Sequence, residues 1–183
     1  MIRRISIYAA ATLAATVVLW RTAAADTPLP EYQVKAAIVY KVAKFVDWPP
    51  TAFVSSSAPL VLCIAGNDPF GQYIDNLNGE IIQGRPLIVR RAEIDQRALL
   101  HCHIVFVGDE TGKQLVFESI AGNPVLTIGD SIGFAESGGM LGLSIDNNRV
   151  AFEVNLSAAR DAGLDISASL LQLAKIVTSQ AIQ

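Results

Sequence analysis

Four short apolar runs, each followed by a turn and a helix-like stretch, constrain this chain more than any other feature. Residues 59–66 contain Leu-Val-Leu-Cys-Ile, and Leu87-Ile88-Val89 follows Gly84-Arg85-Pro86. Residues 104–107 end at Gly108, and 125–128 end at Gly129-Asp130. Runs this uniformly apolar have no solvated side, which places them inside a sheet covered on both faces. The segments between them read as helices: 70–77, with Asp68 as cap and Pro69 in the first turn, then 94–100 and 112–120. Such alternation predicts a parallel sheet flanked by helices.

Both ends of the pattern differ from its middle. Over 31–48, Val34, Ile38, Val42 and Phe45 recur at helical spacing, with Lys35, Lys41 and Lys44 between them, and Pro49-Pro50 stops the helix. Beyond the fourth strand, 140–145 and 149–154 read as two strands joined by Asp146-Asn147-Asn148. Asn155 then caps a short helix that Gly163 ends, and 167–177 reads as a last amphipathic helix. The expected fold is α/β, a largely parallel sheet with helices on both faces and an antiparallel hairpin at one edge.

The first 25 residues carry an address. Arg3 and Arg4 form a basic n-region, 5–20 is an uncharged apolar run, and Ala23-Ala24-Ala25 offers the small residues that a signal peptidase needs. The run has 16 residues, short of the ~20 that cross a bilayer as a helix, although an uncleaved anchor is the alternative. Cleavage after Ala25 gives an exported chain, 26–183, of one domain's length. It removes Arg3, Arg4 and Arg21, which takes the formal charge from −3 to −6. An acidic chain without basic runs argues against nucleic acid and anionic lipid as partners.

Cys63 and Cys102 are the two cysteines. In an oxidising compartment an isolated pair reads as one disulfide, with two separately buried thiols as the alternative.

Catalytic motifs begin but do not complete. Gly66-Asn-Asp-Pro-Phe-Gly71 has glycines at the spacing of a phosphate loop but no Lys-Ser/Thr after the second. Gly129-Asp130-Ser131 looks like the start of a serine-hydrolase motif, yet the two histidines, His101 and His103, precede it. His101-Cys102-His103 could offer two metal ligands, but a disulfide would remove Cys102 and no second cluster completes a site. Flanking surface histidines at a strand entrance are the better reading. No enzyme, cofactor or metal centre is expected.

The order of features resembles the YfiR family. The residues that carry the likeness begin with Val34-Lys35-Ala36-Ala37-Ile38 and Phe45-Val46-Asp47-Trp48-Pro49. Gly138-Gly139-Met140 and the run from Arg149 through Val154-Asn155-Leu156 follow, then Ala158-Ala159-Arg160 and Gly163-Leu164. Ser167, Ser169-Leu170-Leu171 and Leu173-Ala174 close it, so the likeness covers 31–178. It implies a periplasmic repressor that binds the sensor part of an inner-membrane diguanylate cyclase. Such a protein lowers cyclic di-GMP synthesis and biofilm formation. It also implies homodimers, redox sensitivity, and an outer-membrane lipoprotein that sequesters the repressor. Cys63 and Cys102 match one bridge of the family, whereas Ser137 and Ser144 stand where relatives carry a second cysteine pair.

A small-molecule sensor is the alternative function, because α/β sheets bind ligands at strand C-termini. For a repressor, the partner-facing surface is expected at the edge hairpin and the turn into the final helices, since an open sheet edge is a docking template. Leu143, Glu153, Asn155, Arg160 and Leu164 are the expected contacts, with Asn155 also readable as a cap and Leu164 as core. The stripe Leu164, Leu170, Leu171, Ala174 and Val177 reads first as core packing.

Overall fold

The computed structural model describes residues 30–179 except 109, 147 and 148. The leader expected over 1–25, its cleavage after Ala25, and two residues of the hairpin connection lie outside these residues. The chain opens on helix α1 (Glu31–Ala43) and strand β1 (Val46–Asp47). The first central strand is β2 (Leu60–Ala65), followed by α2 (Gln72–Asp75), β3 (Ile81–Ile82) and β4 (Arg85–Ala92). Then come α3 (Gln96–Leu99), β5 (Ile104–Val107), α4 (Lys113–Ile120) and β6 (Leu126–Gly129). The hairpin β7 (Leu141–Asp146) and β8 (Arg149–Asn155) leads to α5 (Leu156–Asp161), β9 (Asp165–Ile166), α6 (Ala168–Leu171) and β10 (Lys175–Val177).

Eight strands form one sheet in the order β10-β8-β7-β6-β5-β2-β4-β3, and β1 pairs with β9 in a small antiparallel sheet. The run β4-β2-β5-β6-β7 is parallel, while β7 and β8 are antiparallel. The α/β expectation is therefore met, including the uniformly apolar central strands. In β2, Leu60, Leu62 and Ile64 face one core with α1 and α2, and Val61, Cys63 and Ala65 face the other beside α3 and α4. A strand's side chains alternate between faces, so only an all-apolar run can serve two cores. No described helix is long and apolar enough to cross a membrane.

Three expectations are corrected. The helix over 31–48 ends at Ala43, and Val46 instead pairs with Ile166; Pro49 disfavours helix at the residue before it and leaves this stretch extended. The helix expected over 167–177 is only α6, with Ser167 as its cap, and β-branched Ile176 and Val177 continue as β10. As a result the β7–β8 hairpin is not outermost. β10 lies parallel to β8 and takes the sheet edge.

The loops that follow the paired strands β2 and β5 press together at the strand C-termini. A Cβ at Gly108 would lie 1.7 Å from the carbonyl oxygen of Asn67. Only glycine fits there, and backbone occupies the crevice in which sheets of this order commonly bind ligands.

Candidate interaction surface and its supports

Cys63 on β2 and Cys102, just after α3, form a disulfide with Cα atoms 5.9 Å apart, and both are buried. The bridge pins the α3 turn to the sheet. The alternative of two free thiols is thereby closed.

His103 is not the surface residue expected. Val61 N–H donates to its Nδ1 at 3.1 Å, and Nε2 lies 3.1 Å from the Ala52 carbonyl. One nitrogen must accept and the other donate, so the ring is the neutral Nε2–H tautomer with no lone pair left for a metal. The ring also stacks on Phe53, and Arg85 lies over that phenyl and donates to the carbonyls of Ser55 and Ala58. Together these contacts fasten the 49–59 segment to the sheet. Burial holds the His103 pKa below its ordinary value of about 6.5, Arg85 lowers it further, and the Ala52 carbonyl opposes both only in part. The stability that rests on the neutral ring is complete above about pH 6.5 and is lost as pH falls through the folded-state pKa. Unfolding free energy measured in urea at about pH 7.5 and about pH 5 is expected to fall more for wild type than for His103→Gln. Equal falls would remove His103 from the acid response.

Ser131 follows the C-terminal end of β6, whereas His101 and His103 precede β5, so parallel strands put them at opposite ends of the sheet. Asp130 accepts a hydrogen bond from Lys35 Nζ at 2.7 Å, and Glu31 pairs with the same ammonium at 2.5 Å. Lys35, which lies between the apolar positions of its helix, is only 4% exposed. Burial opposes its charge, but the bonds to Asp130 and Glu31 more than offset this and raise its pKa. The pairing ties α1 to the end of β6. The glycines nearby serve Phe134, because a Cβ at Gly129 or Gly139 would lie 2.4 or 2.2 Å from its buried ring. Packing accounts for Gly129 and the ion pair for Asp130.

The five expected contact residues divide. Leu143, Asn155 and Leu164 are buried, and Leu164 packs in the larger core with Leu170. Arg160 is exposed on α5, and Glu153 on β8 accepts from Lys175 Nζ on β10 at 2.7 Å. Asn155 is a junction as well as a cap. Its Oδ1 accepts from Ala158 N–H at 3.1 Å and from the Ser157 hydroxyl at 2.8 Å. Its Nδ2 donates to the Ala135 carbonyl at 2.9 Å and to Ser179 Oγ at 2.7 Å. Sequence reasoning missed the edge strand itself, where Ile176 is 55% exposed beside Lys175, with Leu173 76% exposed in the turn before it. The β-branched run at 176–178 was its signal. Ser137 donates to the Gly133 carbonyl at 2.8 Å; Ser144 contacts the Ala151 carbonyl at 3.5 Å.

The described sheet thus has a covered core and an edge at which exposed apolar side chains lie beside charged ones. The profile of the YfiR/HmsC-like family (DUF4154) matches residues 32–175, and the chain belongs to that family. Among solved structures it is similar to the ABC domain in complex with L-Trp from Streptococcus pneumonia, at 12% identity and a TM-score of 0.54. That match covers 80% of this chain and 60% of the other, so this chain spans less than two thirds of its neighbour. The likeness is one of fold.

Proposed function

We propose that this protein is an exported, periplasmic repressor that works by binding and turns over no substrate. The observation that carries the reading is the family match over 32–175, which supports a periplasmic regulatory role; a disulfide fits an oxidising compartment. The partner in this reading is the sensor part of an inner-membrane diguanylate cyclase, with an outer-membrane lipoprotein as the sequestering partner and a homodimer as the working state. Its effect is lower cyclic di-GMP and less biofilm. The contact surface is the β8–β10 edge with α5: Leu173, Ile176 and Arg160 are exposed there, beside the Glu153–Lys175 pair. Leu143, Asn155 and Leu164 shape it from beneath. Apolar anchors with charged groups at their rim are what such a surface needs to fix orientation.

Deleting the gene is expected to raise intracellular cyclic di-GMP and surface attachment. Complementation with Ser131→Ala should restore repression fully. A double reversal, Glu153→Lys with Arg160→Glu, should abolish it with a melting temperature within a few degrees of wild type, since exposed ion pairs contribute roughly 0–1 kcal/mol. Unchanged cyclic di-GMP after deletion would refute the signalling reading, and full repression by the double reversal would move the interface elsewhere.

A further inference from the structure

A cavity of about 510 Å³ lies at the other end of the sheet from the strand C-termini, bounded by the 49–59 segment and the approaches to β5 and β6. Its size falls within the roughly 300–1,000 Å³ typical of small-molecule sites. The apolar lining is aliphatic: Val54, Pro59, Val61, Leu100, Pro124 and Val125. Val54 is 99% exposed and Leu100 41%, so apolar surface is presented at the mouth as well as within. Such surface gains by being covered.

The polar groups are one-signed. Arg90 and His101 line the same cavity, and among the described residues no Asp or Glu does, although the chain carries 17 acidic residues against 14 basic ones. Glu93 and Asp95 lie in an adjoining cavity of about 290 Å³ that Arg90 also borders, and neither pairs with it. Arg90 is placed by the register: it stands opposite Cys63 in the β2–β4 ladder, on the face of the disulfide. Among the described residues its guanidinium has no hydrogen-bond or ion-pair partner. Its neighbour Arg91, on the other face, is committed to Asp68 and Asp75. His103 forms part of the wall but both its nitrogens are occupied. A free guanidinium above an aliphatic floor matches a ligand with a carboxylate head and an aliphatic body.

We propose that this cavity is a binding site for a free aliphatic monocarboxylate, held by Arg90 at its head and by Val61 and Val125 along its chain, with Leu100 and Val54 at the mouth. The site is separate from the β8–β10 surface and stands whether or not that surface binds a cyclase. The probes are octanoate, octan-1-ol and octylammonium, titrated into the full mature chain and followed by amide and methyl chemical shifts. Octanoate should shift Val61, Leu100 and Val125, bind about tenfold more tightly than octan-1-ol, and exceed octylammonium by more. Arg90→Gln, at an exposed and unpartnered position, should weaken octanoate about tenfold and leave octan-1-ol unchanged. Thr51→Trp, on the exposed rim, should block both. Phosphatidylglycerol vesicles should not sediment the protein. Absence of shifts at these residues, equal affinity for acid and alcohol, indifference to Arg90→Gln, or Arg90-dependent vesicle binding would each overturn the proposal.

Discussion

A chain of residues 26–183 in which Cys63 and Cys102 are both alanine is expected to melt about 10 °C below the same chain with both cysteines, with the same far-ultraviolet circular dichroism at low temperature. The bridge joins positions 39 residues apart. Closing a loop of that length removes denatured-state entropy corresponding to about 4 kcal/mol in the chain-entropy model. For a domain of this size each kcal/mol moves the midpoint by about 2–4 °C. Alanine at both sites avoids a reactive leftover thiol and keeps the buried positions apolar, so the change reports mainly the missing cross-link. Reductant added to wild type should produce a similar shift, and the alanine variant should not respond to it. A midpoint within about 2 °C of wild type would show that the cross-link does little for stability. In cells the variant should be less abundant, and weaker repression should track that abundance rather than partner affinity.

The central sheet was legible because its signal is local. The residues 60–65 show no polar side to be solvated, and the two faces of β2 each meet a core. The short strands were not legible for a physical reason. β1, β3 and β9 have two residues each, too few to show any period, and β1 and β9 exist through their pairing with each other. β10 was hidden by accident of spacing: Leu170, Leu171, Ala174 and Val177 fit a helical repeat equally well. The error carried a consequence, since it left β8 as an apparent open edge.

Side-chain roles failed wherever the partner was distant in sequence. Lys35 reads as a solvated lysine until Asp130, 95 positions away, is placed beside it. His103 reads as a surface group until Val61 and Ala52 claim its two nitrogens. Gly129-Asp130-Ser131 attracts a catalytic reading because three residues match a motif, whereas the glycine answers to Phe134 and the aspartate to Lys35. Among the expected interface residues, periodicity correctly leaves Leu164 readable as core, but strand alternation gives Glu153 and Asn155, two apart, the same face, and only the cap position of Asn155 sets it apart.

Asn155 separates the two ways a residue can matter at this surface. As a helix cap alone it would tolerate aspartate, because Asp and Asn cap about equally well. Its amide nitrogen, however, donates to the Ala135 carbonyl in a region where both residues are fully buried. Asn155→Asp would keep the Ala158 and Ser157 contacts and turn the Ala135 contact into an oxygen facing an oxygen, with a buried negative charge added. Asn155→Ala would lose the cap, about 1 kcal/mol, and strand the Ala135 carbonyl, about 1–3 kcal/mol more. The expected order is therefore wild type, then Asn155→Ala some 3 kcal/mol less stable, with Asn155→Asp at least as destabilised at neutral pH. Urea unfolding of the three proteins measures it, and a near-wild-type Asn155→Asp would reduce the residue to its cap. Because the same side chain joins the 130–139 segment, the start of α5 and Ser179, its loss should disorganise the β8–β10 edge along with the fold. Repression should then fall together with stability, in contrast to the double reversal at Glu153 and Arg160, where it should fall alone.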